Sequence, residues 1–277
     1  VLTESVVLFY FYSVKEWEYK MVQIIAFANQ KGGVGKTTTA INLAASLAAI
    51  KKRVLLVDLD SQCNASTGLG FVRASHPQSV YGVLAGQSRA VDNILTTAVP
   101  GLHLMPSSPV LAGAENYLMD NDGGAYLLRN ALGAVYEHYD YILLDCPPAL
   151  GALTLNALTT ATNVIIPLQC EFFALQGISD LVTNIRSIRE KWNPELEILG
   201  ILLTMYDKRY GQTHQAEKDV RDTFGDVVFK TVIPRNVRVS EAPSHGIPAL
   251  FYDFKSPGAQ AYVRVATEVV ERLEQGE

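Results

Sequence analysis

The fold of this 277-residue chain is decided by residues 31–38, which read Lys31-Gly32-Gly33-Val34-Gly35-Lys36-Thr37-Thr38. An apolar run at residues 23–28 precedes this segment, and a helix is predicted after it, at residues 37–50. Glycines let backbone N–H groups turn inward around phosphates, and the N-terminus of a helix adds partial positive charge at the same place. The segment is therefore predicted to be a phosphate-binding loop.

The residue types within the loop predict a role for each side chain. Lys36 is expected to reach the β- and γ-phosphates of a nucleotide, the Thr37 hydroxyl to ligate Mg²⁺, and Thr38 to contact the α-phosphate. One position departs from the usual pattern. A standard loop has glycine at position 30, where this chain has Gln30, and a second lysine, Lys31, stands just before the double glycine.

The rest of the chain predicts an α/β fold. Short apolar runs alternate with longer amphipathic ones, as in a parallel sheet covered by helices. We predict a mostly parallel sheet of about seven strands with helices on both faces, the P-loop NTPase fold. The predicted strands lie at residues 23–28, 53–58, 102–105, 141–145, 163–168, 198–204 and 227–233, and the later helices at 111–139, 174–191, 213–224 and 257–275.

The same pattern sets the domain organisation. Residues 21–277 contain no repeat and no linker, which predicts a single domain. Residues 1–20 differ from the rest: their apolar run at 6–12 is too short to span a bilayer, and no basic residue precedes it. We interpret residues 1–20 as an extension, or a misplaced start, that function does not need.

Composition excludes several classes of protein. The formal net charge of -5, with 18% charged and 48% hydrophobic residues, is ordinary for a globular protein and argues against a uniformly basic surface. The three cysteines are widely separated, so neither a disulfide framework nor a zinc site is predicted.

Two apolar strands end in carboxylates. Asp58 ends the run at 53–58 and Asp60 follows two residues later, while Asp145 ends the run at 141–145. Ligands bind at the carboxyl edge of such sheets, so these three side chains are expected to lie near the phosphate-binding loop.

The early lysine gives the segment the form of a deviant Walker A motif and makes it similar to the ParA/MinD class of ATPases. Further similar stretches are 60–65, 145–148, 167–171 and 204–207. Residues 233–238 and 240–246 resemble the Soj-like chromosomal branch in particular. The resemblance runs from about residue 22 to residue 270 and implies a single ParA-type ATPase domain.

This resemblance implies roles for individual residues. Lys31 would reach across a homodimer to the partner's nucleotide and act there as a catalytic residue. Asp58 would lie in the outer shell of Mg²⁺, Asp145 would hold the metal, and Asp60 would orient the attacking water. Met205, Pro234 and Asn236 would border the base of ATP. The departures are Ser61 and Cys63, where the family usually has proline and glycine, and residues 255–257, where it is often more basic.

The resemblance also implies partners. Members of this branch bind nonspecific double-stranded DNA in the ATP state, hydrolyse ATP slowly, and are stimulated by a ParB-like centromere-binding protein, in the cytoplasm on the nucleoid. Residues 205–238 contain seven Lys/Arg and five Asp/Glu, in an otherwise acidic chain. We predict DNA contacts by Lys208, Arg209, Lys230, Arg235 and Arg238.

Three alternative classes share parts of this pattern. A MinD-like membrane ATPase would need a basic C-terminal amphipathic helix. Here an apolar stripe predicts a core-packing helix, and Glu268, Glu271 and Glu274 give its polar face an acidic character that predicts no membrane contact. The stripe consists of Ala261, Tyr262, Val265, Val269 and Leu273. A related iron–sulfur reductase would need paired cluster cysteines, and Cys146 lies in a loop already explained by phosphate chemistry. An ATPase that positions a protein cargo on the nucleoid would share every site residue and stays open.

Overall fold

The computed structural model describes residues 21–71, 78–120, 123–171 and 174–275. The predicted extension at 1–20 lies outside the described residues. The described strands form one seven-stranded sheet in the order β3-β4-β2-β5-β1-β6-β7. The strands are β1 (Gln23–Phe27), β2 (Val54–Asp58), β3 (Leu95–Thr96), β4 (Leu102–Met105), β5 (Tyr141–Asp145), β6 (Asn163–Gln169) and β7 (Glu197–Thr204).

All pairings in this sheet are parallel except that of β3 with β4. The helices are α1 (Lys36–Ala49), α2 (Asn64–Gly68), α3 (Val80–Leu84), α4 (Ala114–Asp120), α5 (Leu127–Leu132), α6 (Ala152–Thr160), α7 (Ala174–Lys191), α8 (Gly211–Phe224), α9 (Val237–Glu241), α10 (Ala249–Tyr252) and α11 (Pro257–Gln275). The predicted α/β class is therefore confirmed.

Both faces of the sheet are covered by helices, because its central strands are apolar on both sides. In β1, Ile24 and Ala26 belong to one buried cluster, whereas Ile25 and Phe27 belong to the other. Side chains of α3 to α8 fill the first cluster, and those of α1, α2 and α9 to α11 fill the second. This alternation is the period of two expected of a strand with two covered faces.

The predicted strand at 227–233 is wrong. A turn of 3₁₀ helix at Gly225–Val227 opens the segment, and only isolated bridges join it to its neighbours. The Glu268 carboxylate accepts hydrogen bonds from the backbone N–H groups of Lys230 (2.7 Å) and Thr231 (3.0 Å), so these amides do not pair with β7. The short antiparallel β3 is instead the seventh strand.

Two other predicted elements differ from the structure. The helix predicted at 111–139 is divided into α4, α5 and intervening 3₁₀ turns, and the polar loop predicted after Asp60 contains α2. At Gly124 a Cβ would lie only 1.9 Å from the Leu118 carbonyl oxygen, so this position accepts only glycine.

The C-terminal helix packs against the core, as predicted. Its apolar stripe is buried and consists of Ala261, Tyr262, Val265, Val269 and Leu273. Glu268, however, does not belong to an exposed acidic face: it is 9% exposed and binds Arg272 as well as the two amides. Over the described ranges, no helix has the length and apolar character needed to cross a membrane.

Candidate nucleotide-binding site

The predicted phosphate-binding loop joins β1 to α1. Gly33 (φ +77°) and Gly35 (φ +89°) adopt left-handed backbone conformations that strain any other residue. The Val34 carbonyl accepts a 2.8 Å hydrogen bond from the Thr204 hydroxyl, which ties the loop to the end of β7. The first turn of α1 has no acidic residue, so the partial positive charge of its N-terminus is available to an anion.

Lys36 is buried inside this loop. Lys36 is only 7% exposed, and its Nζ donates a hydrogen bond to the Lys31 carbonyl oxygen at 3.3 Å. Burial lowers the pKa of Lys36, while negative neighbours, led by Asp145, oppose that change. Lys36 thus lies inside the loop that is predicted to bind phosphates, and its contact with the β- and γ-phosphates stays a prediction.

Asp58 and Asp145 lie side by side at the carboxyl edge of the sheet, in register across β2 and β5. Asp58 accepts hydrogen bonds from the Ser66 amide (2.8 Å), the Ser66 hydroxyl (2.7 Å) and the Asp60 amide (3.1 Å). Burial nevertheless raises the pKa of Asp58 to about 6. Ser66 was missed by sequence reasoning, because no motif spacing links it to Asp58.

Asp145 is fully buried, and within the described residues neither of its carboxylate oxygens has a hydrogen-bond partner. Burial raises its pKa well above the usual 3.8, and the charge of Asp58 adds to this effect. The Thr37 side chain and Lys36 oppose the rise; Thr37 approaches the carboxylate without completing a well-formed hydrogen bond. A buried, unsatisfied carboxylate is costly unless a ligand completes the site.

Asp60 is held in a tight turn directly after β2. Its Oδ1 accepts from the Gln62 amide at 2.9 Å, and its carbonyl accepts from the Cys63 amide at 2.8 Å. Cys63 has φ +56°, a left-handed conformation that costs a non-glycine residue about 1 kcal/mol. The usual glycine at this position therefore has a steric reason, and Cys63 adopts the same turn under strain.

Lys31 lies at the surface of the loop, apart from Lys36. Its side chain is 58% exposed and forms an ion pair with Glu171, just beyond the end of β6. Asn29 supports this arrangement, because its side chain accepts from the Lys31 amide (2.9 Å) and donates to the Pro167 carbonyl (2.7 Å). Sequence reasoning missed both Asn29 and Glu171 as parts of the loop's surroundings.

The three predicted base contacts are placed differently from one another. Met205 (φ +51°) lies beside the loop, since a Cβ on Gly35 would be 3.8 Å from Met205 Cε. Pro234 pairs with Tyr206 in an isolated parallel bridge. The Asn236 side chain caps α9 by accepting from the Val239 amide at 3.4 Å. All three remain predictions.

The five predicted DNA contacts do not form one patch. Lys208, Arg209 and Arg235 line a common cavity beside Tyr206. Lys230 lines another cavity with Gln23, at the amino ends of the strands. Arg238 is engaged by Glu241 (2.9 Å) and Asp253 (3.5 Å).

Comparison with known proteins agrees with this architecture. A family model described as an AAA domain matches residues 22–198. The chain is 52% identical to the chromosome partitioning protein ParA of Caulobacter vibrioides over 253 residues, 91% of this chain and 95% of that protein. It is 51% identical to the sporulation initiation inhibitor protein Soj of Bacillus subtilis over 249 residues, 90% of this chain and 98% of that one.

Solved structures show the same fold with nucleotide. Cobyrinic acid a,c-diamide synthase from Mycobacterium smegmatis with bound ADP and magnesium has a TM-score of 0.82 at 37% identity, covering 93% of this chain and 97% of that one. MinD from Pyrococcus horikoshii, complexed with Mg-ADP, has a TM-score of 0.75 at 28% identity, covering 90% and 96%.

These similarities define the class of the protein as a P-loop ATPase of the ParA/MinD group, in agreement with the strand order and the loop. Within that class, the chain belongs to the ParA/Soj family of chromosome-partitioning ATPases.

Proposed function

We propose that this chain is an ATP-switched homodimer that binds nonspecific double-stranded DNA in its ATP state and partitions DNA together with a ParB-like partner. The observation that carries the proposal is the loop itself, where Lys36 is buried beside the unpartnered Asp145 and Lys31 stands exposed at the loop's start. This arrangement supports a role for Lys36 in binding the chain's own nucleotide and a separate, outward-facing role for Lys31.

The residues present fit a magnesium ion. Mg²⁺ favours one or two carboxylates, water and substrate phosphates over a complete protein cage. Among the described residues neither Asp145 oxygen has a well-formed hydrogen bond, and no group of three or more His, Cys, Asp or Glu there forms a metal cage. Thr37 and Asp145, with Asp58 behind them, would hold the ion, which would neutralise charge on the phosphates.

The chain's own residues account for the remaining steps. Lys36 and the loop amides bind the phosphates, and Asp60 orients the attacking water. Lys31 leaves Glu171 and stabilises charge on the partner's nucleotide, as a trans-acting cation does in related chemistry. Slow hydrolysis, accelerated locally by the partner protein, then opens the dimer and releases it from DNA on the nucleoid.

DNA retention tests the proposal. The purified protein is applied to immobilised duplex DNA of arbitrary sequence with ATP, ADP or no nucleotide, at low and moderate salt. We expect retention with ATP alone, weakening steeply as salt rises, because bound phosphates release counterions. If the protein is not retained on DNA with ATP, with ADP or without nucleotide, the DNA-binding function is overturned, and an ATPase that positions a protein cargo is favoured.

Lys31→Ala is expected to bind ATP but not to form the ATP-dependent dimer. The side chain lies at the surface, so its loss leaves Lys36 and the loop glycines in place. The measurement is molar mass by light scattering with a non-hydrolysable ATP analogue, beside ATP affinity. Glu171→Gln is the matched control, since it breaks the same exposed ion pair, which is worth at most about 1 kcal/mol. A normal dimer of Lys31→Ala would count against the trans role.

Asp60→Ala is expected to trap an ATP-bound dimer. Losing the group that orients water should slow hydrolysis by at least about 100-fold, the lower range for such a group. Single-turnover hydrolysis and dimer lifetime are measured together, with the exposed Asp92→Ala as the control. Unchanged turnover would show that another residue orients the water.

A further inference from the structure

A cavity of about 530 Å³ lies beside the end of β7. Its walls carry four cations, Lys208, Arg209, Arg235 and Arg264, and a single carboxylate, Asp207. Arg209 is neutralised by Asp207 through two hydrogen bonds of 2.6 and 2.9 Å. Across the described part of the chain, the other three cations have no carboxylate at ion-pairing distance.

Hydrogen bonds fix two of these cations relative to each other. The Tyr206 amide donates to the Ile233 carbonyl and the Arg235 amide donates to the Tyr206 carbonyl, both at 2.9 Å. The Tyr206 hydroxyl donates to Glu217 at 2.5 Å, which anchors the same loop on α8. The loop with Lys208 and the segment with Arg235 are therefore held side by side.

The third cation comes from the C-terminal helix. Pro257, Gln260 and Arg264 line the cavity at spacings of three and four residues, which places them on one face of α11. The neighbouring residues Tyr262 and Val265 are buried, so the helix cannot rotate this face away. Arg264 is exposed, and sequence analysis did not single it out.

Asp207 is the single carboxylate of the cavity; it bonds to Arg209 and also acts on Arg235, so the four cations leave the cavity with a net positive charge that attracts an anion. Phosphate suits such a site, because arginine donates in pairs to phosphate oxygens and lysine adds a point charge. No residue of the loop at 31–38 lines this cavity, so the phosphates of a nucleotide bound at that loop would not occupy the cavity. Duplex DNA presents phosphates along its surface to a site of this kind.

We propose that this cavity binds a backbone phosphate of duplex DNA and that Arg264 is a DNA-contacting residue together with Lys208 and Arg235. The proposal rests on the proposed function and adds a site and a residue to it.

The test compares Arg264→Gln, the charge reversal Arg264→Glu, and wild type for binding to duplex DNA with ATP, between about 50 and about 200 mM salt. The plot of log affinity against log salt becomes less steep by about 0.9 for each lost phosphate contact. A dimer that presents two cavities should therefore show a slope about two units less steep when Arg264 is substituted. Arg264→Glu should bind more weakly than Arg264→Gln. Arg186→Gln is the matched control, an exposed arginine on α7 that lines a different cavity.

The outcomes separate the proposals. If wild type binds DNA and Arg264→Gln behaves like Arg186→Gln, the cavity assignment is overturned while the proposed function stands. If wild type does not bind DNA with ATP, both are overturned. ATP affinity, measured in parallel, distinguishes the source of the phosphate: a fall in ATP affinity equal to the fall in DNA affinity would overturn the assignment to DNA.

Discussion

Lys36→Met is expected to weaken ATP binding by at least about 100-fold, or ~3 kcal/mol, which is the upper range for hydrogen bonds to a charged group. Methionine preserves most of the buried volume but donates no hydrogen bond to phosphate. The lysine amine that is removed is buried and donates to the Lys31 carbonyl. Isothermal titration with ATP and Mg²⁺ measures the loss.

A lysine outside the loop provides the control for this prediction. Lys218→Met removes an exposed cation paired with Asp222 on α8 and should bind ATP as wild type does. Thermal unfolding of both variants verifies that each is folded. ATP affinity within a few-fold of wild type for Lys36→Met would refute the assignment of the phosphate-binding loop.

Asp145→Asn is expected to stabilise the nucleotide-free protein while removing its stabilisation by Mg²⁺ and ATP. A carboxyl whose pKa is raised by folding binds protons more tightly in the folded state, so its ionisation costs stability at high pH. The cost is full above the folded pKa and disappears as the pH falls toward the unfolded value. For the neighbouring Asp58 this window extends from about pH 6 down to about 3.8.

Thermal unfolding at about pH 8 and about pH 5 tests this expectation. Lys36 and Thr37 compensate the buried Asp145 charge only in part, so removing that charge should raise the melting temperature at the higher pH by about 4 °C or more, and less at the lower pH. Asp140→Asn is a control that should lower the melting temperature at pH 8. Although partial burial acts to raise the pKa of Asp140, hydrogen bonds from Arg53 outweigh it and lower that pKa. A destabilised Asp145→Asn at pH 8 would mean that the carboxylate has a stabilising partner.

Much of the fold was predictable because local patterns determine it. Strands at 102–105 and 141–145 and helices at 174–191 and 257–275 have the predicted boundaries, since each is a regular apolar or amphipathic run. The loop at 31–38 was recognisable for a similar reason: two of its glycines, Gly33 and Gly35, have positive φ angles and lie only two positions apart.

The misses share a different physical origin, namely contacts between distant residues. Residues 227–233 have the composition of a strand, but Glu268 binds two of their amides from 37 and 38 residues away. Thr204 fixes the loop through Val34 across 170 positions, and Glu171 reaches Lys31 across 140. Neither composition nor spacing within one segment contains information of this kind.

The bonds made by Glu268 and Arg272 also have a consequence for solubility. β7 is an outer strand of the sheet, eight residues long, and an outer strand with free N–H and C=O groups is a template for aggregation. Arg272 donates to the carbonyls of Leu199, Val227 and Val228. Glu268 binds the amides of Lys230 and Thr231 and so holds residues 228–233 beside β7. Residues 228–233 cover the edge of that strand, since the Phe229 and Ile233 amides donate to the Ile201 and Leu203 carbonyls, and the last two turns of α11 hold these residues in place. A chain shortened before Glu268 is therefore expected to expose β7 and to aggregate during expression.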